Sequence, residues 1–169
     1  VRISGGGRCN VTHDCLNTNL LSKSYPRGER FLKKAFHQFS VKDTVNWFET
    51  KGVKLKVEAD GRMFPITDNS STIIDCLLRQ TNALGVDIRL KSSVSRISHI
   101  DERFKLIIND SEEWFDKVII TTGGNPKKSG YQWLADLGHS IQEPVPSLFT
   151  FNMPGESIKL LMGLVVQNT

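Results

Sequence analysis

Residues 113–124 read EWFDKVIITTGG, and the reading of this stretch sets the fold class. Val118, Ile119 and Ile120 are apolar without alternation, which predicts a strand buried on both faces. Thr121, Thr122, Gly123 and Gly124 follow at its carboxyl end, where open α/β sheets place ligands. The plainer alternative is a strand-to-loop exit that needs glycine for its turn. Just upstream, SVSRISHI (93–100) and FKLIIND (104–110) are strand-like runs joined by turn-like DER and DSE. With residues 113–124 they predict an antiparallel meander.

Working back from the meander, STIIDCLLRQTNALG (71–85) carries Ile73, Ile74, Leu77, Leu78 and Leu84 at helical spacing. Asp68 or Ser70 is the expected cap and Gly85 the stop. VDIRL (86–90) then reads as a strand, so helix and strand form half of an α/β unit. Before it, VKLKVEADGRMFPITD (53–68) alternates Val53, Leu55 and Val57 with lysines, turns at Asp60-Gly61, and returns through Phe64 and Ile66. Pro65 predicts an edge position for the return strand. Arg62 and Phe64 then project from the hairpin, either as ordinary hairpin residues or as groups laid beside a cofactor ring. Earlier still, GERFLKKAFHQF (28–39) and SVKDTVNWFETKG (40–52) predict two helices with little between them, a helical hairpin. Ser40 and Asp43 have capping-box spacing, and Gly52 ends the second helix.

The chain opens with VRISGGGRCNVTH, and residues 1–24 read as polar loop, with Asn10 able to cap a short helix. Gly5, Gly6 and Gly7 permit positive φ and close approach of main chain, and successive free N–H groups form anion nests. Arg8 adds a planar fork suited to phosphate. A flexible surface loop is an equally weighted reading, because neither a Walker loop nor G-x-G-x-x-G is present. Cys9 sits beside Arg8, yet no histidine is placed by sequence to act as its base, so a small packing residue is favoured over a reactive thiol.

The bulk numbers set wide bounds. The 169 residues suffice for one domain with its own core. Lysine and arginine exceed aspartate and glutamate by 22 to 18, a net charge of +4, spread along the chain without an arginine stripe. Three cysteines, with neither C-x-x-C nor a matching histidine pair, disfavour a zinc site and suit a reducing cytoplasm. No apolar run approaches the about 20 residues needed to cross a bilayer. Pro144, Pro146 and Pro154 mark an expected boundary near residue 150.

ISGGGRCNVTH, FLKKAF, EADGRMFPITD, IITTGG and LGHSIQEPVPSLF occur here in the order found in the BaiN-like flavoproteins, which include the aminoacetone oxidases. The chain resembles that family along essentially its whole length, with a short TTGGNPKKSGY segment where many members are longer. The resemblance implies an α/β, partial Rossmann-like FAD-binding domain of the two-dinucleotide type, with an antiparallel β-meander and a helical hairpin. It implies that residues 1–150 are the central part of that domain and 151–169, with LLMGLVV, the start of an inserted one. It further implies an internal fragment, following a G-x-G-x-x-G unit and inactive alone. Gly5, Gly6, Gly7, Arg8, Cys9 and Asn10 match the flavin-side loop. Val94 matches the strand facing adenine, Thr121, Thr122, Gly123 and Gly124 the segment close to FAD, and Arg62 and Phe64 neighbours of the flavin. The implied function is a cytoplasmic FAD-dependent oxidoreductase, with NAD(P)H a candidate reductant and a small molecule as substrate, without nucleic-acid or membrane partners. The alternative is a non-catalytic α/β anion- or nucleic-acid-binding module, which lacks the aromatic platform such modules use.

Overall fold

The Ser40–Asp43 pair forms the capping box its spacing predicts. The Ser40 hydroxyl accepts from the Asp43 N–H at 3.3 Å, and the Asp43 carboxylate accepts from the Ser40 N–H at 2.7 Å. From this start the helix runs over Val41–Thr50, and Gly52 follows its end at φ 82°. In the computed structural model, which describes residues 1–145 and 154–161, the chain divides into two compact units, Val1–Ile88 and Arg89–Thr169.

The first unit contains β1 (Thr12–His13), α1 (Thr18–Lys23), α2 (Glu29–Gln38), α3 (Val41–Thr50), β2 (Leu55–Val57), β3 (Arg62–Pro65) and α4 (Ser70–Ala83). Only Phe39 and Ser40 separate α2 from α3. The strands form an antiparallel sheet in the order β1-β3-β2. Beneath it lies a core of Cys9, Phe48, Val53, Ile73 and Cys76, with Trp47 edge-on to Phe48 at 4.9 Å between centroids. Each large apolar side chain fully removed from water contributes about 1.5–3 kcal/mol.

Several local expectations are corrected here. The stretch after Asn10 leads into the short strand β1 instead of a helix, because the Val11 N–H is taken by the Met63 carbonyl at 2.9 Å. The first helix instead starts after Asn17, whose side chain accepts from Asn19 and Leu20 N–H groups. Helix α4 is capped by Asn69, whose amide oxygen accepts from Ser71 N–H at 2.8 Å, and not by Asp68 or Ser70. The Asp68 carboxylate is occupied by Lys56, and the Ser70 hydroxyl donates to the Arg2 carbonyl. Strand β3 is central, not an edge: Pro65 is tolerated because β1 pairs only as far as Met63, so no ladder bond is asked of the missing N–H.

The second unit holds a meander of β4 (Val94–Ile100), β5 (Arg103–Ile108) and β6 (Ser111–Phe115), in that spatial order. Two-residue turns join them at Asp101-Glu102 and Asn109-Asp110, all four residues at positive φ, the left-handed pairing that matches strand twist. Leu106 and Ile108 are the buried residues of the central strand β5. A 3-10 turn (Lys128–Tyr131) leads into the short helix α5 (Gln132–Ala135).

Residues 86–90 and 118–120 are not strands. Leu90 is 81% and Ile119 88% exposed, and no described neighbour offers either segment a ladder. A strand exists by pairing, so apolar β-branched sequence alone does not produce one. The expected boundary near residue 150 lies outside the described residues. So does most of LLMGLVV, although Leu160 and Leu161 belong to a 3-10 turn over Ser157–Leu161. Among the described residues, no helix is long and apolar enough to cross a membrane.

Candidate functional site

The glycine loop of the first unit is a tight turn over Ser4–Gly7 with left-handed backbone at its glycines. Its three glycines have φ of 58°, 66° and 84°, the left-handed region that L residues with side chains enter only under strain. The turn is closed by Ser4 N–H on the Val1 carbonyl at 3.1 Å and Cys9 N–H on the Ser4 carbonyl at 3.0 Å. A Cβ on Gly5 would stand 2.9 Å from the Asn10 nitrogen and 3.0 Å from a Phe64 ring carbon. One on Gly6 would meet nothing within 4 Å. The loop therefore packs through Gly5 and presents open main chain at Gly6. Cys9 is buried in the core of the unit.

Arg8 does not offer a free fork. Its guanidinium lies 4.0 Å from the centroid of Phe64 and is hydrogen-bonded to Glu58, with Asp68 at 3.6 Å. The hydrogen bond to Glu58, followed by the charges of Glu58 and Asp68, raises its pKa. Lys56 donates to Asp68 at 2.5 Å, and that bond holds the Asp68 carboxyl below its usual range. Arg62 lies 5.5 Å from the same ring, with its Nε on Asp60 at 2.6 Å. Phe64 itself is 0% exposed, so it does not project from the hairpin as the sequence suggests. Its position on a central strand, under two guanidinium groups, explains the difference. Arg8, Arg62, Phe64 and Gly5 thus come together, and Glu58, Asp68 and Lys56 join them unpredicted. The sequence signal was there in the acids bracketing EADGRMFPITD, whose partners only the fold supplies.

The second unit brings Val94 and Thr121, Thr122, Gly123 and Gly124 to the walls of one cleft of about 570 Å³. Gly123 has φ 76°, and a Cβ there would meet nothing within 4 Å. Among the described residues, the main-chain groups of 118–124 make no hydrogen bond. Arg96, Tyr131 and Trp133 also line the cleft and were not anticipated. Trp133 is held by its Nε1–H on the Gly130 carbonyl at 3.1 Å, and the Tyr131 hydroxyl accepts from the Asn125 N–H. The segment GYQWLADLG showed a helix by its periodicity, but nothing in that pattern tells which aromatic rings turn to a ligand. The arrangement offers unpaired donors and acceptors, a cation and two fixed rings, the requirements of a nucleotide-sized ligand.

A model of the HI0933-like protein Rossmann domain matches residues 1–159. The chain is similar to the ribosomal RNA dihydrouridine synthase of Escherichia coli (strain K12), at 26% identity over 175 residues, covering 98% of this chain and 43% of that protein. It is also similar to the 3-dehydro-bile acid delta(4,6)-reductase of Clostridium scindens, at 24% identity over 151 residues, covering 86% of this chain and 36% of that protein. The chain spans less than half the length of these curated relatives.

Proposed function

The chain belongs to the HI0933-like Rossmann-domain family, and on that premise we propose that it serves an FAD-dependent oxidoreductase. The observation that carries the reading is the cleft of the second unit, where Val94 and Thr121–Gly124 share one wall system. The residues present fit a dinucleotide. The main chain of 121–124 has unspent hydrogen-bonding capacity, Gly123 leaves room where a Cβ would stand, and Arg96 supplies a positive charge. Thr121 and Thr122 add hydroxyls that pair with ribose or phosphate oxygens. In the first unit, the open main chain at Gly6 is the flavin-side contact, and Arg8 acts through Glu58 and Phe64 as a brace for that turn, not as a phosphate fork.

Bound FAD would supply two-electron chemistry at its ring, and the protein's task is to bind, orient and exclude water. The names of both relatives describe reductive or double-bond chemistry, so the proposed reaction is hydride transfer between a small unsaturated molecule and the flavin, with NAD(P)H as the candidate reductant. A small-molecule substrate is favoured over nucleic acid because Arg8, Arg62, Arg103 and Lys105 are each spent on carboxylates. We place the enzyme in the cytoplasm, in keeping with three free cysteines.

The test is flavin content. The complete reading frame is expected to purify yellow, with the visible flavin absorption band. Residues 1–169 alone, which contain no G-x-G-x-x-G turn, are expected to load little FAD and to be inactive. Gly6→Val and Gly123→Val in the complete protein should each abolish loading while circular dichroism stays unchanged. A colourless protein, or full loading of both variants, overturns the reading.

A further inference from the structure

Residues 23–39 carry five basic side chains, Lys23, Arg27, Arg30, Lys33 and Lys34, against one acidic side chain, Glu29. That excess equals the net +4 of the whole chain, so the remaining sequence is neutral. Basic residues are spread along the chain, but their excess is gathered at the end of α1, in α2 and in the link between them. The fold leaves this charge uncompensated. Arg8, Lys56, Arg62, Arg89, Arg103 and Lys105 each pair with a carboxylate. The side chains of Lys23, Arg27, Arg30, Lys33 and Lys34 have no ion-pair or hydrogen-bond partner among the described residues.

Helix α2 contains no buried residue. Leu32 and Phe36 are its half-buried pair and turn toward the fold, Phe36 against Tyr25 with 5.8 Å between ring centroids. At 3.6 residues per turn, Arg30, Lys33, Lys34 and His37 share the side away from that pair. Phe31 stands beside Lys34, at the spacing of helix-surface neighbours, and is 78% exposed. The outer face of α2 is thus a patch of unpaired cations with one projecting ring at its edge.

Three kinds of anionic partner meet such a patch differently. A bilayer surface takes up a helix by its apolar side, and here that side faces the fold. A phosphate backbone draws its affinity from charge alone along an extended track. This track rises only about 10 Å between Arg30 and His37. An acidic protein surface uses both features of the patch. Its carboxylates complement the cations, and an apolar side chain covers the ring, the pairing of aromatic and arginine anchors that holds protein interfaces. We infer that the outer face of α2 docks an acidic segment of another protein, with Arg27, Arg30, Lys33 and Lys34 meeting its carboxylates and Phe31 its apolar residue. The inference goes beyond the oxidoreductase reading and does not rest on it.

The probe is a fluorescein-labelled, glutamate-rich peptide with a central leucine pair, titrated with the complete protein and followed by fluorescence anisotropy. The peptide is expected to bind, and to be released as added salt screens the charges. Lys33→Glu and Lys34→Glu should each weaken it by about tenfold, because a like charge then faces its carboxylates. Phe31→Ala should weaken it by about tenfold, as loss of an aromatic anchor does. Arg79→Glu, the same charge change at an exposed, unpaired cation of α4, should leave binding unchanged. All four positions are exposed, and circular dichroism should show an intact fold. Absence of peptide binding overturns the inference, as does equal weakening by Arg79→Glu and Lys34→Glu, or unchanged binding in Phe31→Ala. Tighter binding of polyuridine or of phosphatidylglycerol vesicles than of the peptide, lost in Lys34→Glu, overturns it in favour of those partners. FAD loading is not read in this experiment, so its failure is distinct from failure of the oxidoreductase reading.

Discussion

Gly5 and Gly6 are adjacent, share left-handed φ, and differ in what surrounds them. Placing alanine at either costs the strain of a left-handed L residue, about 1–2 kcal/mol. At Gly5 the new methyl also meets the Asn10 nitrogen at 2.9 Å and the edge of a fully buried ring, neither of which moves freely. Gly5→Ala is therefore expected to lower the urea midpoint clearly more than Gly6→Ala, which adds a methyl only to open space. Equal midpoints would mean that Phe64 is not the wall described. At this scale the sequence was informative about kind but not about partner. Three glycines announce an unusual backbone, and that is what the turn contains. The same reading gave Arg8 a free fork, because charge pairing across 50 positions to Glu58 leaves no trace in local spacing.

Elements were most legible where a local rule fixes them. The capping box at Ser40, the two-residue turns of the meander and the hairpin at Gly61 are each decided within a few residues. Ser40→Ala is expected to destabilise the first unit by about 1 kcal/mol, read by thermal or urea melting, as cap deletions do. The Ser40 hydroxyl and N–H hold the Asp43 carboxyl below its usual value. A carboxyl depressed in the folded state stabilises above its unfolded pKa, and the contribution is lost as pH falls through the folded one. The gap between Ser40→Ala and the parent should accordingly be full at neutral pH and shrink on acidification below about pH 4. Elements that depend on a distant partner were misread. VDIRL and VIITT have the composition of strands, yet pairing is a property of two segments and composition belongs to one.

Among the described residues, each of the two compact units carries its own three-stranded sheet. Amides in β5, bonded on both sides, should exchange slowly with deuterium. Those of 118–124, without described partners, should exchange at once. Mass-spectrometric exchange on the full chain checks this, and protection in 118–124 would reveal a pairing that the fold does not contain. The α/β class was legible because amphipathic helices alternate with strand-like runs, and Thr121–Gly124 stood out by their place after an apolar run, while Val94 was singled out only through family resemblance. Periodicity reports which face is apolar, and it cannot report that residues 94 and 121 share a wall.

The handedness of the Ser4–Gly7 turn has a consequence for anyone reading evolutionary drift. Every substitution at those three glycines is filtered by stereochemistry before any ligand is consulted, so their invariance alone would not separate the demand of a mirror-image backbone from that of a neighbour or a ligand. Asn10, free of that filter, is the neighbouring position whose tolerance or intolerance to change speaks about chemistry.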